Sequence, residues 1–111
     1  MLNTHELKTD PAAFAAVIIG TKTHEIRPND RGFQAGDELL LRETLHSADD
    51  MRGGAPLIYT GRCALRDISH VQGGPGLLEG WVVLSFKEYK PAPVVRRRRI
   101  NDDKMGGNDG E

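Results

Sequence analysis

Long apolar runs, paired cysteines and a rich supply of aromatic residues are all missing from this sequence. No stretch of about 18 consecutive apolar residues occurs, so no membrane-spanning helix is expected. The single cysteine, Cys63, excludes an internal disulfide and gives no zinc-ligand spacing, so we expect a small core residue there. Aromatic residues make up 5% of the chain, which argues against an extended stacking platform for single-stranded nucleic acid.

Signals for export, metal binding and cofactor binding are missing as well. The start "MLNTHELK" has neither a basic beginning nor an apolar middle, so we expect a cytoplasmic protein. The four histidines show no spacing such as HxxxH, so the sequence predicts no metal site, and we expect no cofactor. His5 shares a strand face with Leu7, which favours a hydrogen-bonded core or rim histidine.

Positive and negative charges nearly balance over the whole chain, but a run of positive charge lies near its C-terminus. Charged residues make up 28% and the net charge is −1, so the body of the protein is not a general nucleic-acid binder. Residues 92–111 combine prolines, a like-charge run and terminal Gly, Asn and Asp, and we expect this tail to be disordered. Such a tail is either merely solvated or adds salt-dependent, sequence-independent contact with nucleic acid, through Arg96, Arg97, Arg98 and Arg99.

The remaining residues, 1–91, are predicted to form one domain, which is mixed α/β and mainly β. Asp10 as N-cap, Pro11 at the first helical position and Gly20 as a left-handed stop indicate one helix after the first strand. A single helix cannot cover both faces of a sheet, so closure into a small β-barrel is the simplest architecture. The expected strands, five or six in number, include 2–8, 23–27, 38–43, 57–71 and 80–89, and 44–56 is expected to be a mobile polar connection.

Several side chains are assigned to faces by alternation along these strands. Val82, Leu84 and Phe86 are expected to point inward, and Phe33 to anchor the polar loop that follows the second strand. On the 57–71 strand, Arg62 and Arg66 are expected to point outward, opposite Cys63. Asp37, after a glycine, is expected to be a plain turn residue.

The stretch "GTKTHEIRPNDRGFQAGD", residues 20–37, combines cations, carboxylates, a proline and three glycines with hardly any hydrophobic content. Gly20 permits a tight turn and close approach to a ligand, Lys22 follows at the turn, and Glu25 and Arg27 share one strand face. An ammonium and a guanidinium suit phosphate, and a carboxylate can accept from the exocyclic amine of a base. The alternative is an ordinary ion-pair network on a solvated face, worth about 0–1 kcal/mol.

The same stretch resembles a known signature. "GTKTHEIR" resembles the glycine–x–lysine–x–x–glutamate–x–arginine motif of ASCH domains, which belong to the PUA-like superfamily. The resemblance is closer still to an uncharacterised family of small bacterial and phage proteins. Its motifs occur in order here as "HELK" (5–8), "GTKTHEIRPNDRGFQAGD" (20–37), "LLLRE" (39–43), "YTGR" (59–62) and "EGWVVLSF" (79–86).

The resemblance implies a PUA-like barrel with a cleft beside the helix, facing RNA or a nucleotide-like ligand that could carry a modified base. Signature positions that carry over are Gly20, Lys22, Glu25 and Arg27. Lys8 falls where many ASCH domains have a lysine, and Arg31 lies in the "NDR" of the closer family. From the residues themselves, an aromatic face for stacking could come from Tyr59 or Trp81.

Three functions stay open at this point. We expect an RNA- or nucleotide-binding module first. Some ASCH relatives are amidohydrolases acting on an acetylated cytidine, and Lys22 matches their lysine, but Glu25 occupies their threonine position. The resemblance therefore does not favour that reaction, although a hydrolase using Lys22 and Glu25 on a modified nucleoside or RNA is an alternative. A protein-interaction factor that uses 44–56 and the tail is another, and the oligomeric state stays open.

Overall fold

The predicted mainly β domain is confirmed in the computed structural model, which describes residues 2–87. The predicted tail with Arg96, Arg97, Arg98 and Arg99 lies outside the described residues. No helix within 2–87 has the length and apolar character needed to cross a membrane. Five strands and two helices follow one another as β1 (Thr4–Thr9), α1 (Pro11–Ile18), β2 (His24–Pro28), β3 (Glu38–Thr44), α2 (Ala48–Arg52), β4 (Tyr59–Gln72) and β5 (Trp81–Phe86).

All five strands form one sheet in the order β1-β3-β4-β5-β2. β1 and β3 are parallel, and the other pairs are antiparallel. β4 is long enough to pair with β3 through its first part and with β5 through its last part. Its register shifts between Ile68 and His70, where such a bulge bends a strand and increases its twist. The sheet therefore curls, and the first two strands of the chain become its opposite edges.

The predicted closure into a barrel is not made by strand pairing. Within residues 2–87 no backbone ladder joins β1 to β2. Two arginine side chains span the gap instead: Arg27 Nη2 donates to the carbonyl of Lys8 at 2.7 Å, and Arg31 Nη1 donates to the carbonyl of Glu6. We call this gap between β1 and β2 the seam. Guanidinium groups supply across the seam the donors that a fifth, closing ladder would have supplied.

The core lies inside the curl and beneath α1. Phe14 and Val17 of α1 are 1% exposed and pack over β3, and full burial of such side chains stabilises the fold by about 1.5–3 kcal/mol each. The predicted anchor is confirmed, since Phe33 is 4% exposed. The inward face predicted for β5 is also confirmed. The buried cluster comprises Leu7, Phe14, Val17, Phe33, Leu39, Leu41, Ala64, Ile68, Val82, Leu84 and Phe86.

The prediction for β4 is wrong for Cys63 and Arg66, although Arg62 is exposed as expected. Cys63 is exposed, while Arg66 is buried together with Ala64 and Ile68 on the inner face. The guanidinium of Arg66 donates to the carbonyls of Leu65 at 2.7 Å and Val17 at 3.4 Å. The last carbonyls of a helix lack partners within it and favour a positive charge, so an arginine is tolerated beneath the end of α1.

Both ends of α1 follow the punctuation predicted for it, with one difference. Gly20 adopts φ +87°, and hydrogen bonds from Gly20 N to Val17 O and from Thr21 N to Ala16 O complete a Schellman motif. Pro11 occupies the first helical turn as expected. The Asp10 carboxylate, however, makes no capping bond and accepts instead from Ala48 N at 3.1 Å, which ties α2 to the start of α1.

The segment predicted to be a mobile connection contains a short helix. In α2 the Ser47 hydroxyl accepts from Asp50 N at 3.0 Å, which is a helix N-cap. Thr44, where β3 ends, is fully buried and donates to the carbonyl of His46 at 2.7 Å. The expectation of a purely irregular loop is therefore wrong. The Ser-x-x-Asp pattern was the signal for this helix.

A buried histidine–carboxylate pair holds the loop between β2 and β3. His5 Nε2 donates to Asp37 Oδ2 at 2.9 Å, and the His5 ring meets Phe33 edge-on at 4.7 Å between centroids. Asp37, which is 2% exposed, also accepts from the backbone N–H groups of Asn3 and Gln34. The prediction of a hydrogen-bonded core histidine is confirmed. Asp37 is more than the turn residue expected.

Acid should weaken this pair. The hydrogen bond from His5 lowers the pKa of the Asp37 carboxyl below its ordinary value of 3.8; burial opposes the shift, and the N–H groups of Asn3 and Gln34 add to it. A depressed folded-state pKa stabilises the protein above the unfolded-state pKa, and this contribution disappears as pH falls through the folded-state value.

We therefore expect Asp37→Asn to lower the free energy of unfolding most above about pH 5. The difference from wild type should shrink as pH falls below 3.8. Urea denaturation at several pH values measures this. Asp30→Asn, which removes an exposed carboxylate, should retain the wild-type acid dependence. If wild type and Asp37→Asn differ in free energy of unfolding by the same amount from pH 7 to pH 3, the stabilising role assigned to the ionised Asp37 carboxylate is contradicted.

Gly20→Ala should lower the free energy of unfolding by about 1–2 kcal/mol, because a Cβ is strained in the left-handed conformation. Gly53→Ala is the matched control, since Gly53 also ends a helix but has φ −83° and room for a Cβ at 3.4 Å from the nearest atom. Chemical denaturation of both variants provides the comparison. Equal losses in the two would show that the Gly20 turn is not specially constrained.

Candidate functional site

A cleft of about 530 Å³ opens between α1, α2 and the edge strand β2. We call it the cleft throughout. Its wall includes polar side chains from β1, from the turn after α1 and from β2, and apolar side chains from β2, α2 and β5. Five residues that the sequence singled out line it together, namely Lys8, Lys22, Glu25, Arg27 and Trp81.

Glu25 is the most unusual group in the cleft because it is a carboxylate that is 6% exposed. As predicted, it shares a face of β2 with Arg27. Its Oε1 accepts from Arg27 Nε at 3.1 Å and from Arg27 Nη2 at 2.9 Å. Its other oxygen, Oε2, is buried and has no hydrogen-bond partner among the described residues. A buried acceptor without a partner costs about 1–3 kcal/mol, so this oxygen is a candidate contact for a ligand donor.

Two lysines bring positive charge to the cleft. Lys22 Nζ lies 4.0 Å from Glu25 Oε2, an ion-pair distance that is too long for a hydrogen bond. The Schellman turn at Gly20 directs the chain so that Lys22 reaches this position. Lys8 lines the cleft from β1, across the seam from Arg27.

An apolar surface faces these charges. Trp81 pairs with Pro28 in the β5–β2 register and is 37% exposed. Ile26 and Met51 contribute to the same wall. A half-exposed indole beside charged groups can stack against a planar ring.

A second, smaller pocket of about 200 Å³ adjoins the seam, and we call it the arginine pocket. Lys8 and Arg27 line it as well as the cleft. Its other walls come from β1, β3, the start of β4 and the loop after β2. The guanidinium of Arg42 lies 3.7 Å from the centre of the Tyr59 ring. The pocket is lined by Glu6, Leu7, Lys8, Arg27, Arg31, Arg42 and Tyr59.

The predicted site residues thus fall into two neighbouring groups, with one exception. Arg31 and Tyr59 belong to the arginine pocket rather than to the cleft. Gly20 lines neither pocket and acts through the turn that it forms.

Sequence reasoning missed two contributions to these pockets. Arg42 was not assigned because "ELLLRE" alternates weakly, although Leu39 and Leu41, two apart and both buried, could have placed Arg42 on the opposite face. The α2 side of the cleft was missed because that segment was taken for a loop. Within residues 2–87 no group of three or more His, Cys, Asp and Glu side chains comes together as metal ligands.

Comparison with known proteins finds a similar sequence in a bacteriophage. It is 31% identical over 84 residues to the "Uncharacterized 12.9 kDa protein in GpA 3'region" of Escherichia phage P2, an alignment that covers 76% of this chain and 68% of that protein. The resemblance to an uncharacterised family that includes phage proteins is confirmed at that level.

Residues 4–86, from the first residue of β1 to the last residue of β5, match the family described as "Domain of unknown function (DUF3850)". Both pockets lie within this range. The chain therefore belongs to the DUF3850 family.

Proposed function

We propose that the protein is an RNA- or nucleotide-binding module whose ligand occupies the cleft. The observation that carries the proposal is the buried, unpartnered Oε2 of Glu25, which lies in a cleft also lined by Lys22, Arg27 and Lys8. An isolated protein retains such a group at a cost in stability. A ligand N–H that reached this oxygen would remove that cost.

A nucleotide offers matching chemistry on each side. The exocyclic amine or ring N–H of a base can donate to Glu25, and its plane can stack on Trp81, for about 1–3 kcal/mol per stacked base. Lysine and arginine suit phosphate oxygens. A volume of about 530 Å³ falls within the roughly 300–1,000 Å³ of ordinary ligand sites, enough for one or two nucleotides.

We further propose that the sheet is a PUA-like barrel of the ASCH type that stays open at the seam. The order β1, α1, β2 and the position of the cleft beside α1 support this assignment. So does the "GTKTHEIR" motif, which supplies the turn, the lysine, the carboxylate and the guanidinium described above.

A hydrolase acting on a modified nucleoside or RNA is a second candidate. The specific observation in its favour is the separation of 4.0 Å between Lys22 Nζ and Glu25 Oε2, two groups able to exchange protons with a bound substrate. Binding is preferred because Arg27 Nε and Nη2 both donate to Glu25 Oε1, which engages the carboxylate in a structural contact.

Lys22→Ala should weaken nucleotide binding at least about tenfold, because it removes a charged contact worth roughly 1.5 kcal/mol or more. Titration of ¹⁵N-labelled protein with short RNA, single-stranded DNA and free nucleotides measures affinity and location together. Shifts are expected at Lys22, Glu25, Arg27 and the Trp81 indole. Lys22 is preferred to Arg27 for this test, since loss of Arg27 would leave Glu25 buried without its partner.

Arg62→Gln is the matched control. Arg62 is exposed, pairs with Glu43 at 3.0 Å and lines neither pocket, so the variant should bind as wild type does. Shifts confined to 96–99 would indicate loose electrostatic attraction and contradict binding in the cleft. Turnover of RNA or of an acylated nucleoside that is lost in Lys22→Ala would favour the hydrolase.

A further inference from the structure

The arginine pocket has a larger excess of positive charge than the cleft. Its lining includes four cationic side chains, from Lys8, Arg27, Arg31 and Arg42, against the single carboxylate of Glu6. The cleft has four cations against two carboxylates. A small concave surface with an excess of one charge concentrates the field and attracts the opposite charge.

The arginine side chains of this pocket are oriented by contacts with neighbouring groups. Arg42 lies against the Tyr59 ring, and its Nη1 is 3.5 Å from Glu6 Oε1. Arg31 Nη1 is fixed by its bond to the carbonyl of Glu6. Each guanidinium carries five N–H donors, so these contacts leave donors on both arginines for a ligand. Both side chains are also accessible, with exposed fractions of 44% for Arg31 and 36% for Arg42.

Size and position suggest which part of a ligand the pocket holds. About 200 Å³ is below the range of roughly 300–1,000 Å³ that whole small molecules occupy, so the pocket suits a single charged group. It also shares Lys8 and Arg27 with the cleft. One ligand lying across the seam could therefore reach both.

We infer that the arginine pocket binds a phosphate group of the nucleotide whose base lies in the cleft, so that the ligand is phosphorylated rather than a free nucleoside. This inference rests on the proposed function. Arg31 and Arg42 supply the planar, forked donors that match phosphate oxygens, and Lys8 adds a point charge. Arg27, held by Glu25 on one side and by the Lys8 carbonyl on the other, separates the base from the phosphate. The phosphate belongs either to a mononucleotide or to the backbone of an RNA strand.

Calorimetric titration with matched pairs of probes tests the inference. The pairs are adenosine, cytidine, guanosine and uridine, each against its 5′- and 3′-monophosphate, at one fixed ionic strength, with dinucleoside monophosphates to represent the RNA backbone. At least one monophosphate or dinucleotide should bind about tenfold or more tightly than its nucleoside, since charge-assisted hydrogen bonds are worth at least that factor. Inorganic phosphate should compete with that ligand and not with the nucleoside.

Variants locate the phosphate. Arg42→Gln, which breaks no backbone hydrogen bond, should remove most of the gain from phosphate and leave nucleoside affinity unchanged. Arg31→Gln, which also removes the bond to the Glu6 carbonyl, should reduce the gain from phosphate as well. Arg62→Gln should retain the full gain. Glu25→Gln should weaken nucleoside and monophosphate by a similar factor, because it acts on the base.

The possible failures are distinguishable. If nucleosides bind and phosphate adds nothing, the inference is overturned while the proposed function stands. If phosphate strengthens binding equally in wild type, Arg31→Gln and Arg42→Gln, the phosphate lies elsewhere and the inference is again overturned. If no nucleoside, nucleotide or dinucleotide binds, the proposed function fails and the inference fails with it. A gain confined to dinucleotides supports the inference and assigns the phosphate to an RNA backbone.

Discussion

The guanidinium of Arg27 connects the two edges of the sheet. It donates to both sides of a gap, with Glu25 Oε1 on its own strand and the carbonyl of Lys8 on β1 as acceptors. Without it, the buried Glu25 carboxylate would keep only the longer ion pair with Lys22, and the unpaired edge of β1 would lose a donor. Breaking a buried ion pair by removing one partner costs several kcal/mol, about 3–5 in measured cases. The shape of the cleft and the burial of Glu25 both depend on this side chain.

Leaving the seam open has a structural consequence and a chemical one. The structural one is that two strand edges stay unpaired by ladder bonds, and unpaired edges favour unwanted pairing with other chains. Arg27 and Arg31 occupy part of that gap, β2 has only five residues, and it ends in a proline. The chemical consequence is that the gap places charged side chains from four parts of the chain next to one another. A barrel closed by a fifth ladder would have filled this space with backbone.

The two pockets differ in the kind of contact they provide. In the cleft, a buried carboxylate oxygen and a half-exposed tryptophan offer directional and stacking contacts. In the arginine pocket, accessible guanidiniums offer charge, which is more sensitive to salt. Lys8 and Arg27 line both pockets, so substituting either would affect contacts with the base and contacts with the phosphate together. Glu25 on one side and Arg42 on the other are the residues that separate those contributions.

Local features of the sequence determined most of the elements and part of the site. Asp10, Pro11 and Gly20 delimited α1, alternation placed Val82, Leu84 and Phe86 inside, and the spacing of Glu25 and Arg27 put both on one face, because these patterns depend only on neighbouring residues. The sides predicted for Arg66 and Cys63 were wrong, and the turn role predicted for Asp37 was incomplete. Arg66 depends on the end of α1, and Asp37 depends on His5, both of which are far away along the chain. The side on which Cys63 lies depends on how β4 is placed in the curled sheet.

Tertiary structure alone decided how the sheet ends and what gathers there. No local pattern in "THEIR" shows that Arg27 will reach across to Lys8, and none around Asp10 shows that its carboxylate will hold α2 beside the cleft. Both contacts join segments that are separated by about 20 to 40 residues. The sequence by itself determined which charged groups are available and the order in which they occur. Only the curling of the sheet, which brings its first strand opposite its second, decided that those groups share two adjoining pockets.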